Sequence, residues 1–156
     1  MYASKARPGR GLRIAVVLLV GAVVVVGAVR LAVVEADRIT QGLADDERGG
    51  CPPTPNCVST LASDPTHAVE PLACDADEVE LLAAVDDALG GGRAVADGEF
   101  VVRSTVFGFP DDVYVRAGAG DRVDVLSSSR IGASDLGVNR ERVEALRGAL
   151  AADPRC

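Results

Sequence analysis

The chain has 156 residues, enough for one domain, with 16 basic side chains against 23 acidic ones. Residues 1–36 hold five basic groups and one acid, a net +4, whereas residues 37–156 hold 22 acids and 11 arginines, a net −11. So acidic a distal part argues against nucleic acid as a partner and against lying flat on anionic lipid.

Residues 1–11 form a basic tail, and residues 12–34 are apolar apart from Arg13 and Arg30. The run Ile14–Val29, IAVVLLVGAVVVVGAV, is uninterrupted. With its flanks it reaches the roughly 20 residues that cross a bilayer, provided Arg13 and Arg30 snorkel to the interfaces. The membrane is thus one partner. Lys5, Arg7, Arg10 and Arg13 precede the run, which predicts a cytoplasmic amino end and an extracytoplasmic carboxy-terminal domain. A signal peptide cleaved near Val34-Glu35-Ala36 is the rival reading; the apolar run is long for one, which favours an uncleaved anchor. Residues 35–50 are polar, end in Gly49-Gly50 and read as a linker.

The domain proper spans residues 51–156. Four cysteines in an exported domain predict oxidation. Cys51 and Cys57 bracket Pro52, Pro53 and Pro55 in a stiff loop that a disulfide would close. Cys74 and Cys156 then pair by elimination, although four cysteines allow three pairings. With one histidine, His67, and no Cys-x-x-Cys knuckle, no metal site is expected.

An extended or looped stretch to Leu72 precedes a first helix, with Asp75 as N-cap and Glu78 completing a capping box. Leu81, Leu82, Val85 and Leu89 give its apolar stripe, and Gly90-Gly91-Gly92 ends it. Phe100–Phe107 alternates with period two, Val113 and Val115 flank Tyr114, and Val123 and Val125 flank Asp124. Short turns at Gly108–Asp111 and Ala117–Gly120 make these strands antiparallel neighbours, with Arg93–Ala96 as an added edge. The last helix takes Asn139 as N-cap, a Val138–Val143 staple, and a core face of Val143, Leu146 and Leu150. The expected architecture is α+β: a three- to four-stranded antiparallel sheet with two amphipathic helices on one face, preceded by a transmembrane helix.

The densest polar segment, Leu126–Arg147, joins the last strand to the last helix. Arg140 and Arg142 lie in a first helical turn, where the dipole disfavours cations, so a negative group should be near. Ser127, Ser129, Ser134, Asn139 and Arg130 complete a set suited to phosphate, sulfate or carboxylate. In the alternative reading the anion is internal, supplied by Asp135, Asp111 or Asp112. Asp111-Asp112 also suits general acid–base work, though Pro-Asp-Asp after Gly-Phe is ordinary turn chemistry. Nucleophilic catalysis lacks parts. His67 is the only imidazole and reads as an exposed loop residue, and Ser127-Ser128-Ser129 has no Gly-x-Ser-x-Gly around it. No nucleotide fingerprint is present, and no cofactor is expected.

CPPTPNCVS from Cys51, FGFPDD from Phe107, and Ser129-Arg130-x-Gly132-x-Ser134-Asp135-x-Gly137-x-Asn139-x-x-Arg142 together resemble domain-of-unknown-function family 1499, small bacterial and plastid proteins. The resemblance covers about Cys51 to Leu150 and implies no reaction, substrate or cofactor. Leu126 stands where that family often has arginine, and Thr60 where it often has a second serine. The expectation is a membrane-anchored binding or accessory module whose Ser/Arg/Asn segment holds a small anion or meets an envelope protein. The alternative is a hydrolase using Asp111 or Asp112 with Arg130 and Arg142.

Overall fold

The computed structural model describes residues 9–40, 50–90, 92–96 and 98–156. Lys5 and Arg7 of the expected tail, residues 41–49 of the expected linker, and Gly91 lie outside them. Helix α1 (Arg10–Thr40) contains the apolar run and continues into the stretch expected as linker. At 1.5 Å per residue, the apolar stretch 12–34 is about 35 Å long, enough for a hydrocarbon core of about 30 Å. Among the described residues α1 alone, over Arg10–Ala36, has the length and composition of a membrane anchor or signal sequence.

The rest is α+β, as expected, but the sheet is larger than three or four strands. Six strands build it: β1 (Cys57–Ser59), β2 (Leu72–Ala73), β3 (Arg93–Ala96), β4 (Glu99–Arg103), β5 (Pro110–Ala117) and β6 (Arg122–Ser129). The order is β1-β6-β5-β4-β3, all antiparallel, and β2 also pairs with β6. β1 and β2 therefore lie end to end along one edge. They have three and two residues, too few to produce the alternation that marks the others.

β4 stops at Arg103 rather than at Phe107. Ser104 breaks it: its N–H donates to Phe109 O, its carbonyl accepts from Gly108 N, and its Oγ accepts from Phe109 N. Gly108 takes a positive φ of 75° to close this turn.

One face of the sheet carries Phe100, Val113, Val115, Val123 and Val125, all buried. Helices α2 (Glu78–Leu89) and α3 (Val138–Ala152) cover it with Leu81, Ala84 and Val85 and with Val143, Leu146 and Leu150. Neither start is where expected. Asp77, not Asp75, caps α2 by accepting from Glu80 N, and Gly90 ends it in the left-handed region. Gly137 is the N-cap residue of α3 and offers no side chain; Asp135 reaches over it to accept from Gly137 N and Asn139 N. Asn139 is thereby freed from capping and points inward.

Both disulfides form as expected, Cys51–Cys57 and Cys74–Cys156. The second ties the residue after β2 to the end of the chain across a separation of 82 residues.

Candidate functional site

Alternation along β5 sends Asp111 and Asp112 to opposite faces of the sheet. Asp111 pairs with Ser129 and Val113 with Ser127, so these side chains share the helix-covered face; Asp112 pairs with Ser128 on the other. The polar segment is divided accordingly.

On the covered face Asn139, fully buried, is the hub. Its Oδ1 accepts from Ser127 Oγ at 2.7 Å and from Arg142 Nη1 at 2.5 Å. Its Nδ2 donates to Asn56 O at 2.9 Å and to Ser129 Oγ at 3.0 Å. Arg142 also donates to Ser127 Oγ at 2.8 Å and to Asp111 Oδ2 at 2.5 Å. That ion pair has side chains only 12% and 6% exposed. Asn56, buried in the Cys51–Cys57 loop, donates to Gly132 O at 2.7 Å and Ser129 O at 3.2 Å, which fastens the loop to the end of β6. Among the described residues every buried side-chain polar atom has a partner. The segment thus supplies its own anion at Asp111.

The other candidates sit apart. Ser134 is exposed and accepts from Leu136 N at 3.4 Å. Burial works against the Asp135 carboxylate, but the N–H bonds from Asn139 and Gly137 outweigh it and hold the group below its ordinary range. Arg140 clasps the backbone instead, donating to Ala68 O and Thr66 O at 2.9 and 3.0 Å. Arg147 does the same at Pro71 and Glu70. His67, expected exposed, is buried against Cys57, with Nδ1 2.9 Å from that carbonyl oxygen, and takes no part in the serine network.

On the face away from α2 and α3, Arg130 chelates Asp112, with three N–H···O contacts of 2.6 to 3.0 Å. This pair borders a cleft of about 220 Å³ between the Cys51–Cys57 loop and the sheet. Tyr114, Leu126, Ser128 and Ser129 line its sheet side, with Pro52, Thr54 and Asn56 on the loop side. A second hollow of about 160 Å³ continues past Tyr114 and Leu126 toward Glu99, Arg116 and Asp124. There Arg122 hydrogen-bonds Asp124, and Thr60 adds a further bond, which keeps that carboxyl below its usual value.

Of the expected set, the structure joins Asp111, Ser127, Ser129, Asn139 and Arg142 inside, and Asp112 with Arg130 at the cleft. The three arginines 130, 140 and 142 do not share one anion. Sequence reasoning missed Asn56 as a structural lock and Tyr114, Leu126 and Ser128 as cleft lining. The period-two pattern that marked Tyr114 as outward was the available signal.

Residues 49–150 match the family model described as "Protein of unknown function (DUF1499)", and the chain belongs to that family. No curated protein and no solved structure matches it.

Proposed function

We propose that this member of the family is a membrane-anchored, extracytoplasmic binding module. Its site is the cleft on the face turned away from α2 and α3, and its ligand is a small polar molecule bearing an anionic group. The observation that carries this reading is the division of the arginines. Arg142 and Arg140 are committed to internal partners, whereas Arg130 borders an open cleft beside Ser128 and the Tyr114 ring. A ligand carboxylate or phosphate placed there competes with Asp112 for a planar donor suited to bidentate pairing. The α1 helix and two disulfides support the anchor and the oxidising compartment.

The hydrolase alternative has less support. Asp111 is sealed inside with Arg142, so one of its two acids has no access to a substrate. Asp112 faces the cleft but already accepts from Arg130.

The test is to titrate the full chain in mild detergent with phosphate, sulfate and small carboxylates while following Tm. At least one is expected to raise Tm saturably, by linkage, and Arg130→Ala is expected to abolish the rise. No response in the wild-type chain to any of them removes the anion-binding reading.

A further inference from the structure

The turn between β4 and β5 is unusual for an acidic domain. From Phe100 to Pro110 there is no acidic residue, although residues 37–156 hold 22 acids. Its outermost side chains, Val106 and Phe107, are 55% and 38% exposed. The Phe107 ring stands 5.8 Å from that of Phe109, so two of the three phenylalanines in the chain meet at this tip.

Most carbonyls of the tip have partners within the protein. The carbonyl of Gly108 accepts from Arg103 and that of Phe109 from Ser104 N; Gly108 N and Phe109 N both donate back to Ser104. The carbonyls of Thr105 and Val106 accept from Arg30 of α1, at 2.6 and 2.8 Å. A loop with apolar side chains and mostly paired carbonyls suits the boundary of a bilayer, where the N–H groups of Thr105, Val106 and Phe107 still reach water or headgroup oxygens while the side chains leave it.

Arg30 also fixes the depth. It lies four residues before Val34, about 6 Å along the helix axis from the end of the apolar stretch. That is within the depth, roughly 5–10 Å, at which interfacial apolar groups bury into the boundary between headgroups and acyl chains. The same end of α1 has one shielded stripe, Val26, Val29, Val33 and Ala36, at helical spacing, with Val33 buried.

We propose that the Thr105–Phe109 tip inserts into the outer boundary of the bilayer beside α1, with Arg30 as the strut that joins anchor and tip. The domain then stands on the membrane with β5 rising away from it. This rests on the anchoring half of the functional reading above, not on ligand binding.

The chain contains no tryptophan, so a single introduced one is an unambiguous reporter. Phe107→Trp, Val106→Trp, Val79→Trp on the exposed start of α2, and Val24→Trp within α1 are each made in the full chain. Each is reconstituted in phosphatidylcholine–phosphatidylglycerol vesicles with or without phosphatidylcholine brominated along its acyl chains. Emission from the Val24→Trp variant reports whether α1 is in the bilayer. The expected result is that Val24→Trp and both tip variants emit at short wavelength and lose the larger part of their emission to the brominated lipid, while Val79→Trp does neither. If Val24→Trp is quenched but the tip variants behave like Val79→Trp, the tip proposal is overturned and the anchor stands. If Val24→Trp is not quenched, both fail. Should Phe107→Trp fail to fold, Val106→Trp alone decides, since its side chain points outward.

Discussion

Removing the Arg142 guanidinium would leave the Asp111 carboxylate, 6% exposed, without its charge partner, and would take one donor from each of Ser127 and Asn139. Breaking one side of a buried pair costs about 3–5 kcal/mol, mostly because the survivor stays buried and charged. Arg142→Ala is therefore expected to lower the unfolding free energy of the full chain in mild detergent by an amount of that order, read as a lower urea midpoint at unchanged m. Combining Arg142→Met with Asp111→Asn should cost clearly less than the two single changes added together. Additive costs would mean that the pair is not coupled. Sequence alone identified these residues as one polar constellation and offered an internal aspartate as the alternative to a ligand. It could not say which of the adjacent acids 111 and 112 would be the internal one, because that depends on strand register.

At the ends of α3 two aspartates accept N–H bonds, and the outer one gives a signature in pH. Asp153 accepts first from the Arg155 side chain and then from Arg155 N, which holds its carboxyl at about 2 against an ordinary 3.8. A depressed carboxyl contributes stability that is complete above the ordinary value and is lost as pH falls through the lowered one. The loss attributable to Asp153 should therefore fall between pH 3.8 and about 2. Asp153→Asn should flatten that part of the stability profile relative to wild type, measured by thermal melts down the acid limb; parallel profiles would refute the assignment. Elements were legible in proportion to their periodicity. β4, β5, β6, α2 and α3 all declared themselves through apolar spacing, whereas β1 and β2 are too short to have a period. Caps were less legible. Asp75, Asp77 and Glu78 offer competing oxygens within four residues, and Asn139 has the composition of a cap but is drawn inside by Ser127 and Arg142.

Among the described residues the domain has an aliphatic core with Phe100 its only aromatic residue, so its covalent ties should weigh heavily. By loop-closure entropy, Cys74–Cys156, at a separation of 82 residues, restricts the unfolded chain by about 4–5 kcal/mol. Cys51–Cys57, at a separation of 6, contributes about 2 kcal/mol by the same relation. Replacing Cys74 and Cys156 by serine should thus depress Tm more than replacing Cys51 and Cys57. The smaller loop carries Asn56 and borders the cleft, so its opening should weaken any ligand response more than it weakens the fold. The reverse order on either measurement would contradict this division of labour.

β5 separates two chemistries with a single strand. Interior positions 111, 127, 129, 139 and 142 hold the domain together, while Tyr114, Leu126 and Ser128 line the cleft on the far side. The motif by which the chain is recognised falls on both sides: Asp111, Asn139 and Arg142 lie inside, and Pro52, Asp112, Arg130 and Gly132 border the cleft. Leu126, in register with Tyr114 on the cleft side, can therefore be exchanged without touching the hydrogen-bonded hub around Asn139 beneath the sheet.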